Sequence, residues 1–213
     1  GPARRHAVPR RRGGFRLMQG ILLAAGFGRR FDPSGRDSKL LAQLPDGRSV
    51  ATHAAAALCA ALPGSLAVIR PGQPALAAQL RDAGCRIVES AAAEGGMGHA
   101  LADAVRASKD ADGWLVTLAD MPWLDPQMIR TVAAALRGPE DIVAAAFAGR
   151  RGHPVAFGTA HRAALCALTG DRGARALLEN GHILQVESAD DSVLRDIDHP
   201  DDLPGAHPHG HSV

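Results

Sequence analysis

Apolar positions along this chain alternate between two spacings. Short, mostly apolar runs at Ile21–Ala25, Leu66–Ile69, Arg86–Val88, Trp114–Ala119, Ile142–Phe147, Pro154–Phe157 and Ile183–Val186 read as buried strands. Between them, Val50–Ala61, Pro74–Ala83, Gly98–Ala107, Pro126–Leu136, His161–Leu168 and Ala174–Glu179 carry their apolar residues at helical spacing. The fourth of these helices has a clear start, because Asp125 can cap its free N–H groups and Pro126 suits its first turn. Strand–helix alternation predicts an α/β fold with a largely parallel sheet covered on both faces. Ligands of such sheets bind beyond the carboxyl ends of the strands. Gly26 and Asp120, each just past a strand, therefore belong to one edge.

Composition narrows the class. A chain of 213 residues with 46% hydrophobic content can bury one good core, expected over residues 18–203. Residues 1–17 read as a basic arm, with Gly1-Pro2 resembling an expression-tag scar and Met18 a natural start. Residues 204–213 read as a flexible tail in which His207, His209 and His211 alternate, a spacing that serves a solvated tail or weak transition-metal binding. The net charge of +2 owes its sign to Arg4, Arg5 and Arg10–Arg12. Without them the body is mildly acidic and, with 3% aromatic content and no Tyr, poorly suited to nucleic acid. Cys59, Cys85 and Cys166 form no Cys-x-x-Cys or zinc spacing, which fits a reducing cytoplasm. No apolar run is long enough to span a bilayer, and the arm lacks the apolar segment of a signal peptide.

The chemistry concentrates in Gly20-Ile-Leu-Leu-Ala-Ala-Gly-Phe-Gly-Arg-Arg30 and in Lys39 beyond it. A strand that breaks at Gly26 and Gly28 frees backbone N–H groups for an anion, and Arg29, Arg30 and Lys39 add charge-assisted contacts of the kind phosphates attract. This predicts a triphosphate cradle. It is neither a P-loop, whose Gly-Lys-Ser/Thr is absent, nor a dinucleotide fingerprint, whose third glycine is replaced by Phe31. The second strand also ends in Arg70-Pro71, where a ribose-binding acid would be expected. Asp120, delivered by a strand into Met121-Pro122, suits a hard cation bridging phosphates, since the helix cap is already supplied by Asp125. Alternation places Asp196 and Asp198 on one face of an extended segment, either of them able to complete the site. Asp201 and Asp202 read as the start of a short terminal helix.

Five motifs in order, from about Gly20 to Leu203, resemble the nucleotidyltransferases of molybdenum cofactor maturation. They are Leu23-Ala-Ala-Gly-Phe-Gly-Arg-Arg30 with Lys39-Leu-Leu, Ala119-Asp-Met-Pro122, Arg151-Gly-His-Pro154, Gly170-Asp-Arg-Gly-Ala-Arg175 and Asp196-Ile-Asp-His-Pro-Asp-Asp-Leu203. The resemblance implies a three-layer, Rossmann-like nucleotidyltransferase fold with a mostly parallel central sheet. It also implies transfer of a nucleoside monophosphate from an NTP to molybdopterin, with pyrophosphate leaving.

By the same resemblance, Leu23, Ala24, Ala25, Gly26, Gly28 and Arg29 line the nucleotide, Arg30 binds the triphosphate, and Lys39 neutralises charge developing on the α-phosphate. Asp120 and Asp198 hold Mg²⁺ or Mn²⁺, and Gly95, Gly96, Met97 and Gly98 lie near the base and ribose. Arg151, Gly152, His153, Pro154, Asp171 and Arg175 face the pterin and its phosphate. Such a transfer needs positioning and charge stabilisation more than covalent help, and an anionic phosphate acceptor needs no general base.

Two features set this chain apart within the resemblance. Asp32–Ser38 lengthens the link between Arg30 and Lys39, as a loop that wraps the phosphates or moves as a lid. Ala24-Ala25 matches the cytidylyl branch, which implies CTP and a recipient molybdoenzyme of the xanthine dehydrogenase type; glycine at the second position marks the guanylyl branch. The alternatives are guanylyl transfer, transfer to a sugar or polyol phosphate, and a non-catalytic cofactor-delivery protein. The last has little need of Lys39 and Asp120 together.

Overall fold

The computed structural model describes residues 17–205. The expected arm, apart from Leu17, and the histidine tail from 206 onward lie outside the described residues. Strands β1 (Met18–Leu23), β2 (Leu66–Ile69), β3 (Arg86–Glu89), β4 (Gly113–Leu118), β5 (Ile142–Phe147), β6 (Arg150–Gly158) and β7 (Ile183–Glu187) form one sheet in the order β3-β2-β1-β4-β6-β5-β7. Only β6 runs antiparallel to its neighbours. Central β1 pairs with β2 through Ile21–Leu66 and with β4 through Ile21–Val116.

Period-two alternation in β1 and β4 sends side chains to two cores. Leu22, Ala24, Leu115 and Ala119 face α1 (Val50–Ala61), α2 (Pro74–Asp82) and α4 (Pro126–Ala135), packing on Leu58, Leu80 and Ile129. Ile21, Leu23, Trp114 and Val116 face α3 (Met97–Ala107) and α5 (Arg162–Cys166), packing on Leu101, Val105 and Leu165. The short α6 (Arg175–Asn180) lies on this second side with no fully buried residue. Asp125 caps α4 as expected, accepting a hydrogen bond from the Gln127 amide. No helix among the described residues is long and apolar enough to cross a membrane.

Two local expectations need correction. Strand β6 begins at Arg150 rather than Pro154, because Ala148 (φ 49°) and Gly149 (φ 77°) close a tight hairpin with β5. Arg151, Gly152 and His153 are therefore strand residues, and a side chain at Gly152 would run into the Val193 carbonyl. The fifth helix is shorter than its pattern, with a 3₁₀ turn at Thr159–His161 before α5. Two of the cysteines are also neighbours, with Cys59 Sγ 3.4 Å from Cys85 Sγ although they stand 26 residues apart.

Candidate active site

The parallel strands β1, β2 and β4 end at one edge, and the sequence turns there into its polar motifs. Ala24 and Ala25 continue β1 with both side chains buried, one in each core, so only their backbone can reach a ligand. The chain then emerges at Gly26, around which no atom lies within 4 Å of an added Cβ, and turns at Gly28 (φ 62°). A shallow cavity of about 290 Å³ gathers Gly28, Arg29, Arg30, Lys39, Asp171 and Asp198. Asp171, expected on the acceptor side, thus borders this cavity as well.

Lys39 is the centre of the charge arrangement. Its Nζ donates to Asp120 Oδ2 at 2.8 Å and to Asp198 Oδ1 at 3.3 Å, while Arg30 Nη1 donates to Asp198 Oδ2 at 2.6 Å. Burial works to lower the Lys39 pKa, but the Asp120 and Asp198 charges and hydrogen bonds outweigh it and hold the ammonium above the ordinary lysine value. Asp198 comes to this position because the Ile197 amide donates to the Asp120 carbonyl at 2.8 Å and the Ile197 side chain is fully buried. Asp202 fixes the next turn, accepting from the Asp198 and His199 amides at 2.8 and 2.7 Å.

Oxygens of Asp120, Asp196 and Asp198 lie within 4.8 Å of one another. Asp120 Oδ1 is buried and has no hydrogen-bond partner among the described residues. An orphaned carboxylate oxygen facing two more carboxylates is a donor set suited to a hard divalent cation. Burial and the charges of Asp120 and Asp198 push the Asp196 pKa up. The sequence left Asp196 and Asp198 open as partners of Asp120; the fold brings both to it.

The inserted loop, residues 32–38, is tied internally. Asp32 closes it on itself, accepting from the Asp37 amide at 2.7 Å, the Ser34 hydroxyl at 2.7 Å and the Ser34 amide at 2.8 Å. Those hydrogen bonds, the Asp37 amide foremost, hold the Asp32 carboxyl at about 2.

A larger cavity of about 610 Å³ opens on the α3/α6 side of the same edge. Its rim carries Arg151, His153, Asp171, Arg172 and Arg175, and its floor is apolar, formed by Leu23, Val116, Val155 and Phe157. Leu23 and Met97, expected at the nucleotide, face this second cavity. Pro154 is buried behind it, as the first buried residue of β6. Arg151 Nη1 donates to the Leu178 carbonyl at 3.1 Å, and Glu179 pairs with Arg172 at 3.2 Å, so α6 is tied down at the rim. Burial lowers the His153 pKa to about 4, against the pull of the Asp120 charge, so the imidazole is neutral at pH 7.

The glycine segment before α3 is already occupied by protein. The Gly98 amide donates to the Gly170 carbonyl at 2.8 Å. A Cβ on Gly98 would sit 2.7 Å from the Thr169 carbonyl oxygen, and one on Gly96 would overlap the Gly170 backbone. Gly96 and Gly98 thus seat the loop that carries Asp171 and leads to Arg175, a long-range contact with no signal in the sequence. Gly95 remains exposed, against the His99 ring.

Known proteins share this fold. None of the curated proteins matches the sequence significantly. Among solved structures, Rv0371c of Mycobacterium tuberculosis H37Rv superposes with a TM-score of 0.72 at 23% identity, over 88% of this chain and 95% of that one. A nucleotidyl transferase of Methanothermobacter thermautotroptrophicus (Mth528) gives 0.73 at 23% identity, over 87% and 94%. Rv0371c in complex with manganese gives 0.60 at 22% identity, over 81% and 88%. These likenesses show the fold. The family model described as the MobA-like NTP transferase domain matches residues 20–187, and the chain belongs to that family of nucleotidyltransferases.

Proposed function

We propose that this protein transfers CMP from CTP to molybdopterin and releases pyrophosphate. The observation that carries the reading is Lys39, held between Asp120 and Asp198 at the edge where β1 opens into its glycine loop. A nucleoside triphosphate needs cations on its phosphates and a divalent cation between them, and this edge has both sets of groups in contact. Asp120 and Asp198, with Asp196 beside them, would hold Mg²⁺ or Mn²⁺, which supplies neutralisation of the triphosphate and of the leaving pyrophosphate. The manganese complex of Rv0371c is in keeping with that donor set.

The chain's own groups then have distinct tasks. Backbone N–H groups around Gly26 and Gly28 cradle phosphate oxygens, and Arg30 turns from Asp198 to the triphosphate. Lys39 shifts from its carboxylates to the α-phosphate as charge builds there. A phosphate oxygen of the acceptor forms the new bond to the α-phosphorus while the α–β bridging bond breaks, so no proton need move. The acceptor cavity has cationic groups at its rim for a phosphate and an apolar floor for a flat heterocycle. His153, neutral and half-buried, offers it a hydrogen bond rather than a charge. The resemblance of Ala24-Ala25 to the cytidylyl branch supports CTP over GTP, and a molybdoenzyme of the xanthine dehydrogenase type is the recipient in keeping with a cytosine dinucleotide.

The test is a calorimetric titration of the purified protein with CTP and GTP in Mg²⁺. Tighter binding of CTP is expected. Tighter binding of GTP would move the protein to the guanylyl reaction, and binding of neither would overturn the triphosphate site.

A further inference from the structure

Strand β2 ends at Ile69 and hands the chain to Arg70, whose surroundings differ from those of Arg30 and Lys39. Arg30 and Lys39 are paired with carboxylates. Arg70 is half-buried, its Nε is fully buried without a hydrogen-bond partner, and no carboxylate pairs with it among the described residues. Its guanidinium lies against an aromatic face, its Cζ 4.1 Å from the centroid of Phe27. Arg29 Cζ lies 4.7 Å from the same ring. Phe27 is 41% exposed, unusual for a large apolar side chain, and its place between Gly26 and Gly28 serves no core. A guanidinium held through its carbon against a ring keeps its terminal N–H donors free.

Placement says what those donors meet. The sheet order sets β1 between β2 and β4, so Arg70 and Asp120 stand past the ends of strands two places apart. Adjacent strands are about 4.8 Å apart, making that separation about 10 Å. This is close to the reach from an α-phosphate to the pairing edge of its own base. With the α-phosphate at Lys39 and Asp120, a base laid across the strand ends toward β2 would reach Arg70. A donor-only fork matches a base edge with two adjacent acceptors. Cytosine offers O2 and N3 in that way, whereas uracil places an N–H donor at N3.

Resting on the nucleotide reading above, we propose that Arg70, held on Phe27, reads the base and selects cytosine over uracil. Phe27 is a positioning residue that keeps the fork in place.

The experiment measures Kd for CTP, UTP and pyrophosphate, each with Mg²⁺, for the parent protein, Arg70→Gln, Arg70→Lys and Phe27→Leu. The parent is expected to prefer CTP over UTP by tenfold or more, the discrimination typical of one bidentate pair being about 1–3 kcal/mol. Arg70→Gln reduces that preference about tenfold while leaving pyrophosphate binding unchanged. Arg70→Lys keeps the charge but loses the fork, so it loses the preference too. Phe27→Leu lowers the CTP/UTP ratio in the same direction, a readout that simple loosening of the loop would not move. Equal weakening of CTP, UTP and pyrophosphate in Arg70→Gln would make Arg70 a phosphate ligand and overturn the proposal. So would an unchanged CTP/UTP ratio in that variant. Failure of the nucleotide reading shows differently, as a parent protein that binds no triphosphate.

Discussion

Replacing Lys39 by methionine removes the cation that the carboxylates share. Its Nζ stands 2.8 Å from Asp120 and 3.3 Å from Asp198, in side chains only 13%, 16% and 29% exposed. Two unit charges about 4 Å apart interact by about 4 kcal/mol at an effective dielectric of about 20. Solvent on the open side screens much of this, yet a third of it is still about tenfold in affinity for a competing cation. The metal-free variant is expected to be about 1–3 kcal/mol less stable, because its carboxylates face one another uncompensated. It should also bind Mn²⁺ about tenfold more tightly than the parent, with nucleotide absent. Thermal unfolding with and without Mn²⁺, beside a direct titration, reads both effects. At a hundred times its Kd a ligand adds about 2.7 kcal/mol. For a domain of this size that is about 5–10 °C in the variant, and about half as much in the parent at the same concentration. Equal Mn²⁺ affinities in the two proteins would refute the idea that Lys39 occupies the cation site until substrate arrives.

Two further outcomes follow from the second cavity. Gly98→Ala gains up to about 1 kcal/mol of helix propensity but drives a Cβ against the Thr169 and Gly170 backbone, which costs about 1–3 kcal/mol, so a net loss of up to about 2 kcal/mol is expected. Hydrogen exchange over residues 169–173 should also accelerate, since the new methyl displaces the Thr169 carbonyl now 2.7 Å from its position; a loss above about 3 kcal/mol would mean rigid overpacking rather than a seated loop. His153 has its pKa lowered to about 4 by burial, so between pH 6.5 and 4 the unfolded chain takes up a proton that the folded protein refuses. Stability from this group therefore falls with acid, by at most about 1.4 kcal/mol per pH unit. Denaturant midpoints at pH 4.5 and 7 should converge in His153→Gln relative to the parent, and equal acid losses in both would contradict it.

Periodicity located every strand and helix of the sheet, because each side of β1 and β4 faces its own core and leaves unbroken apolar runs. The start of β6 was hidden, since Gly152-His153-Pro154 interrupts the apolar pattern and the strand there is defined by its hairpin partner and by Val193. Asp120 was legible as a carboxylate at a strand end with no capping task. Asp196 and Asp198 were legible as a pair through alternation about Ile197, but their meeting with Asp120 depends on a backbone bond formed 77 residues away in the chain. Gly96 and Gly98 read as ligand-facing glycines; the fold also packs the Gly170 backbone against them, and close approach looks the same in sequence for either visitor. Arg70 drew notice only as a missing acid; its isolation becomes visible once Phe27 is folded against it.

The most direct test of the account is pyrophosphate release on mixing the protein with CTP, Mg²⁺ and molybdopterin, beside Asp120→Asn. The account predicts one pyrophosphate per molybdopterin consumed, a product carrying CMP, and loss of at least a hundredfold in rate in the variant, about the effect of removing one preorganised electrostatic partner. A parent protein that binds CTP with Mg²⁺ yet releases no pyrophosphate when molybdopterin is supplied would contradict it.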